Sequence, residues 1–186
     1  MNLDGFRPTT VFLDRDGTLI RDTGYVGSPD DVELLPGAGE AVRRLNDAAV
    51  PVVIVTNQSG IGRGYFDVSD FRAVQARLES LLADDGARID GTFYCPHAPE
   101  DACECRKPGL ALYALAAATL GVETRGGLYV GDRRRDVLPA LGLGGLGMLV
   151  AGEGGEYDGP ATPGVIRVPD LLSGVVGLRL VPEGDS

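Results

Sequence analysis

The sequence predicts an α/β fold, a Rossmann-like parallel sheet with helices on both faces and no separate cap domain. Three observations predict it. Short apolar runs alternate with stretches of helical periodicity along the whole chain, the pattern of repeated strand–helix units. Asp14, Thr56, Cys95 and Asp132 each fall at or just past the end of an apolar run, the edge at which open α/β sheets bind ligands. The one histidine, the one lysine and all three cysteines lie within thirteen residues, Cys95 to Lys107, and every other basic residue is arginine. That concentration implies a metal-tied loop presenting a cation.

The elements follow in order. Thr10–Asp14 reads as a short buried strand ending in a carboxylate, and Gly37–Ala48 as a helix with Ala38, Ala41, Val42 and Leu45 at helical spacing. Pro51–Thr56 is a strand too apolar to have a wet face. Val68–Leu82 is an amphipathic helix with Phe71, Val74, Leu78, Leu81 and Leu82 on one side. Gly91–Cys95 is a third strand, and Leu110–Leu120 a helix stopped by Gly121. Gly127–Gly131 is a fourth strand, followed by a short helix over Arg134–Leu141 that Pro139 limits. Leu146–Val150 and Val165–Val168 complete the sheet, with a surface loop over Ala151–Gly164 and a disordered tail at about 181–186. The interval from Thr18 to Pro36 has room only for a loop, so the site should be open, with the Cys/His segment as one wall.

At 186 residues the chain is expected to form a single domain, 1–186, with a full core. A net charge of -10 argues against nucleic acid or an anionic membrane surface as partner. No apolar stretch is long enough to span a bilayer, and acidic Asp4 stands where a secretory signal would be basic, so a cytoplasmic protein is expected. Clustered cysteines in such a chain read as metal ligands rather than a disulfide scaffold.

Asp14-Arg15-Asp16-Gly17-Thr18 directly follows a strand. Two carboxylates at this spacing can divide labour, one attacking while the other gives a proton to a leaving group. Attack on phosphorus by an aspartate gives an aspartyl-phosphate. Taken alone, the run would as readily be a strand-end turn with solvated aspartates. It is not alone: Val55-Thr56-Asn57-Gln58-Ser59-Gly60 offers a hydroxyl and backbone N–H groups to phosphate oxygens at a second strand end. Gly131-Asp132-Arg133-Arg134-Arg135-Asp136 brings a further carboxylate at a third. Mg²⁺ needs a few oxygen ligands and accepts a substrate phosphate among them, and Lys107 suits the charge of a transferring phosphoryl group. Gly142-Leu-Gly144-Gly145-Leu-Gly147 fits a dinucleotide pattern but follows a helix and precedes a strand, which excludes a nicotinamide reading.

This set, in this order, resembles the haloacid dehalogenase superfamily of phosphotransferases, from about Val11 to Val150. The resemblance implies that Asp14 is the nucleophile and Asp16 the general acid/base. It implies that Thr56 and Lys107 stabilise the phosphoryl group, and that Mg²⁺ is held by Asp14, the Asp16 backbone carbonyl and Asp132. Cys95-x-His97-x5-Cys103-x-Cys105 supplies four ligands and no vacancy, the composition of a structural Zn²⁺ site. With Arg106 and Lys107 the loop resembles a small subgroup of the superfamily acting on heptose bisphosphates or on histidinol phosphate. For a heptose enzyme the resemblance implies hydrolysis of the 7-phosphate of the 1,7-bisphosphate, with Asp22, Tyr25, Asn57, Gln58, Ser59 and Arg106 joining Thr56 and Lys107 at the substrate. The runs Asp22-Thr-Gly24-Tyr25-Val26 and Asn57-Gln-Ser-Gly-Ile-Gly-Arg63-Gly64 point that way. The short spacing between His97 and Cys103 points instead to the histidinol-phosphate type. Two further departures from the heptose pattern are the missing residues after Pro108 and Arg133 in place of a lysine. A small phosphorylated metabolite as partner and a monomeric state are expected. A catalytically silent, zinc-stabilised binding module is the reading from another class, and it would be expected to have lost a carboxylate or the lysine.

Overall fold

The computed structural model describes residue 3 and residues 5–152 and 155–180. Six parallel strands form one sheet in the order β3-β2-β1-β4-β5-β6. They are β1 (Val11–Leu13), β2 (Val52–Asn57), β3 (Gly91–Cys95), β4 (Leu128–Gly131), β5 (Leu146–Val150) and β6 (Val165–Val168). The helices are α1 (Ala38–Asp47), α2 (Ser59–Gly62), α3 (Val68–Asp84), α4 (Ala111–Leu120), α5 (Arg134–Val137), α6 (Pro139–Leu143) and α7 (Leu171–Gly177).

Strand β1 is central because it pairs with β2 on one side, Leu13 against Ile54, and with β4 on the other, Leu13 against Val130. Its three residues are fully apolar and buried, as a strand covered on both faces requires. Val11 and Leu13 face the core built with α1, α3 and α7. Phe12 faces the other core, where it stacks on Tyr129 at 5.0 Å between ring centroids and meets Tyr113 of α4 edge-on at 5.3 Å. Helix α3 buries Phe71, Val74, Leu78 and Leu82, while Leu81 is half-buried. Each such side chain contributes roughly 1.5–3 kcal/mol.

The expected helix over Arg134–Leu141 is two short helices, with α5 ending at Val137 and α6 beginning at Pro139. Pro139 has no N–H to give the preceding turn. Two helices not anticipated from sequence are α2, whose Ser-Gly-Ile-Gly reads as a turn, and α7. Helix α7 did carry a signal: Asp170 Oδ1 accepts from the Ser173 N–H at 2.7 Å, a side-chain cap. Residues 18–36 form a loop with two isolated bridges and one 3-10 turn, Pro29–Asp31, so no cap domain covers the sheet edge. The expected tail at 181–186 lies outside the described residues, and the described part of 151–164 carries no regular element. Among the described residues no helix is long and apolar enough to cross a membrane.

Candidate active site

The C-terminal ends of β1, β2 and β4 place Asp14, Thr56 and Asp132 side by side, all buried. A third carboxylate joins them. Asp14, Asp132 and Asp136 offer oxygens that all lie within 4.8 Å of one another. Asp136 sits in α5 and is anchored from below, its Oδ2 accepting the Arg133 N–H at 3.0 Å. Lys107 reaches this group from the far side of the Cys/His loop. Its Nζ donates to Asp14 Oδ1 at 2.8 Å and to the Val55 carbonyl at 2.7 Å, and pairs with Asp136 Oδ1 at 2.7 Å. The turn after β1 must contain glycine: Gly17 has φ +80°, and a Cβ there would lie 2.6 Å from Asp132 Oδ2.

Three buried carboxylates facing one ammonium are strained electrostatically. Burial, with Asp14 and Asp136 alongside, pushes the Asp132 carboxyl up to about 7. Burial and Asp14 push Asp136 up to about 6, against the opposing pull of Lys107. Burial alone would lower the Lys107 ammonium, but Asp136 and Asp14 outweigh it and hold it above its ordinary value. A hard divalent cation fits this set, since it takes oxygen ligands and relieves the crowded negative charge. The Asp16 side chain is not part of the carboxylate group.

Asp16 points instead to its own set of donors. Its Oδ1 accepts from Arg15 Nε at 3.1 Å and Nη2 at 3.0 Å, and its Oδ2 from Arg15 Nη2 at 3.1 Å and Gln58 Nε2 at 2.7 Å. Burial raises the Asp16 carboxyl above the usual range, and Arg15 opposes the rise. Gln58 Nε2 also donates to Thr56 Oγ1 at 2.9 Å. Asn57 is occupied differently: its amide accepts the Lys107 N–H at 3.0 Å and donates to the Lys107 carbonyl at 3.3 Å. It clamps the backbone that carries the lysine.

These groups open into a cleft of about 380 Å³ lined by Asp14, Asp16, Asp22, Tyr25, Thr56, Asn57, Gln58, Ser59 and Arg106, with Lys107 buried beneath. Arg63 and Arg135, which sequence reasoning passed over, line it too. Tyr25 meets Tyr65 edge-on at 4.7 Å over the rim.

The Cys/His loop forms one wall. Cys95 Sγ lies 3.5 Å from Cys103 Sγ, 3.3 Å from Cys105 Sγ and 3.7 Å from His97 Nδ1. Cys105 Sγ lies 3.4 Å from Cys103 Sγ and 3.1 Å from His97 Nδ1. A tetrahedron with Zn–S bonds of about 2.3 Å has edges of about 3.7 Å, so the four atoms are compatible with one zinc ion. All three thiols are free. Burial pushes Cys95 up to about 12, a value that a coordinating cation would reverse. The loop rests on α2 through the Gly62 N–H to the Pro96 carbonyl at 2.8 Å, and a Cβ at Gly62 would come within 2.7 Å of the Ala98 nitrogen. Arg63 and Glu100, 3.0 Å apart, tie the same two segments. Arg106 Nη1 donates to the His97 carbonyl at 3.4 Å.

Asp136, Arg15, Arg63 and Arg135 are thus the site residues not assigned from sequence. Asp136, four residues after Asp132, was the one with a readable spacing.

Two family models match: haloacid dehalogenase-like hydrolase over residues 11–66 and HAD-hydrolase-like over residues 104–171. The chain is 36% identical over 172 residues to the D-glycero-β-D-manno-heptose-1,7-bisphosphate 7-phosphatase of Pseudomonas aeruginosa, covering 91% of this chain and 97% of that one. It is 42% identical over 137 residues to the enzyme of the same name from Haemophilus ducreyi, covering 70% and 75%. The crystal structure of the D,D-heptose 1,7-bisphosphate phosphatase of Bordetella bronchiseptica, complexed with magnesium and phosphate, superimposes with a TM-score of 0.84 at 36% identity, covering 91% of this chain and 98% of that one. Matched along most of its length in both sequence and fold, this chain belongs to the haloacid dehalogenase-like hydrolases.

Proposed function

We propose that the protein is a Mg²⁺-dependent phosphatase that hydrolyses the 7-phosphate of D-glycero-D-manno-heptose 1,7-bisphosphate, and that residues 1–186 act as one phosphatase domain. The observation that carries the reading is the Asp14 carboxylate, held in a buried oxygen cluster beside Lys107 and opening into the cleft that Asp16 and Thr56 line. Mg²⁺ would be held by Asp14, Asp132 and the Asp16 backbone carbonyl, with Asp136 behind them, and would supply a positive charge that draws phosphate and nucleophile together.

An Asp14 oxygen attacks phosphorus, and the phosphorus–oxygen bond to the sugar breaks. Asp16, whose carboxyl burial raises above the usual range while Arg15 opposes the rise, gives a proton to the departing oxygen. A water molecule then attacks the aspartyl-phosphate and passes its proton to Asp16. The bond to Asp14 breaks, its electron pair returns to the carboxylate, and inorganic phosphate leaves. Lys107 and the Thr56 hydroxyl stabilise the phosphoryl oxygens through both steps.

The second reading is histidinol phosphate as substrate, favoured by the short spacing between His97 and Cys103. Against Asp14, Asp16 and Asp22 stand as many arginines, and these favour the bisphosphate. Arg63, Arg106 and Arg135 all line the cleft, and they suit a second phosphate, whereas histidinol phosphate carries an ammonium. In this reading a Zn²⁺ on Cys95, His97, Cys103 and Cys105 has no open position and fixes the wall that bears Arg106 and Lys107. Comparing kcat/KM on the two compounds tests the assignment. The bisphosphate should be preferred by a factor of about 10² or more, and a preference for histidinol phosphate would overturn the substrate while leaving the chemistry.

A further inference from the structure

Arg15 is unusual among the arginines of the chain because it is completely buried. A guanidinium out of water costs several kcal/mol unless it is paired. Its pairing is fully local: two nitrogens on Asp16, the Gln58 Oε1 at 3.0 Å, and the Phe71 ring with its centroid 5.3 Å away. Arg15 Nη1 has no hydrogen-bond partner, although a stranded buried donor costs about 1–3 kcal/mol. Stability alone is a poor reason to keep an arginine here.

Its neighbours suggest another reason. Arginine only donates, so the atom of Gln58 that it meets must be the amide oxygen. That settles which way the amide faces. The Gln58 nitrogen is then aimed at Asp16 Oδ2, 2.7 Å away, and at Thr56 Oγ1, 2.9 Å away. Because Thr56 Oγ1 accepts this N–H, its own single hydrogen is left to donate elsewhere. The same chain of contacts thus fixes the carboxyl at one end and a hydroxyl hydrogen at the other.

We propose that Arg15 and Gln58 are positioning residues for proton transfer: Arg15 orients the Gln58 amide, and together they hold the Asp16 carboxyl against the leaving oxygen while turning the Thr56 hydroxyl hydrogen toward the phosphoryl group. The proposal rests on the reading of Asp16 as the acid/base. Neither residue exchanges a proton itself. Two Arg15 nitrogens and the Gln58 amide grip the two Asp16 oxygens and fix the plane of the carboxyl, so the cradle sets the direction from which it meets the leaving oxygen.

The test uses Arg15→Met and Gln58→Met, two independent removals of similar volume, and two substrates. A sugar phosphate needs its leaving oxygen protonated; p-nitrophenyl phosphate does not. Both variants should lose about 100-fold in kcat on the sugar phosphate. On p-nitrophenyl phosphate, rapid mixing should still give a burst of p-nitrophenol, slowed by no more than about tenfold because the Thr56 hydroxyl loses its orientation, followed by turnover slowed by about 100-fold, because only the second step needs a proton removed. Equal losses in burst and in sugar-phosphate turnover would mean simple structural damage and would overturn the proposal. Unchanged sugar-phosphate turnover would overturn it as well. Asp16→Asn is measured alongside. If that variant hydrolyses the sugar phosphate normally, the acid/base reading falls; if it is inactive while the two methionine variants are not, only the cradle falls.

Discussion

The two ligand clusters of this protein differ in almost every physical respect. The Cys/His cluster takes all four donors from eleven consecutive residues, 95–105, and only Cys95 among them is buried. The carboxylate cluster takes its donors from Asp14 after β1 and from Asp132 and Asp136 at β4 and α5, more than a hundred residues further on, and all three are buried. The first groups soft donors at spacings compatible with a tetrahedron; the second groups hard oxygens, of which Asp14 lines the open cleft. A local cluster can shape a loop and takes only Cys95, the last residue of β3, from the sheet. A cluster assembled by the sheet can do chemistry only if the sheet is in place. In the proposed reading the carboxylates act on substrate, while the Cys/His loop carries Lys107 onto Asp14 and Asp136 and Arg106 into the wall of the cleft.

Replacing a residue in the carboxylate cluster should have the largest effect. Asp14→Asn is expected to lower kcat by more than about 10³-fold with the far-ultraviolet circular dichroism unchanged, since it removes the nucleophile and keeps the volume. Retained turnover would remove Asp14 from that role. Next comes Lys107→Arg, which keeps the charge. The three contacts of the ammonium, each at 2.7–2.8 Å, are point contacts in a buried space, and a planar fork cannot reproduce them. A loss of about 10²-fold in kcat is expected, and near-normal activity would refute this geometric requirement.

The Cys/His loop should behave differently. Stripping metal from it, or substituting Cys105→Ser, should cost about tenfold in kcat/KM by loosening Arg106 and Lys107, with a smaller effect on global unfolding. Metal analysis should find about one zinc per chain. Collapse of the whole fold on zinc loss would show that the loop supports the sheet, and the contrast between the clusters would fail.

The smallest effect expected is on stability. Asp132 and Asp136 have folded pKa values raised to about 7 and about 6. Between about pH 4 and 7 the unfolded chain releases these protons while the folded chain keeps them, so without divalent metal stability falls as pH rises through that window. A cation binds the ionised carboxylates. Added Mg²⁺ should therefore raise Tm by about 5 °C or more at about pH 8 and by much less at about pH 5; an equal shift at both would contradict it.

What the sequence made legible follows the same division. The strands were readable because continuous apolar runs of four to six residues have few other uses, and Cys95-x-His97…Cys103-x-Cys105 was readable because a local site writes its own spacing. The spacing of Asp136 from Asp132 was readable too, but not its place beside Asp14 and Lys107, which depends on how α5 follows β4. Arg15 was not, because arginine is by default a surface residue. The Asn57 side chain was expected at the substrate, and it lines the cleft, but both ends of its amide hold the Lys107 backbone. No pattern within one segment reports a contact made with another fifty residues away.

The proposed chemistry passes through Asp14. The direct measurement is rapid acid quenching during turnover of the heptose bisphosphate, followed by mass analysis of the peptide spanning 11–20. An aspartyl-phosphate mechanism predicts a transient peptide heavier by one phosphoryl group on Asp14, absent in Asp14→Asn. Full turnover with the peptide never modified, and the oxygen of water delivered to phosphate in a single step, would contradict it.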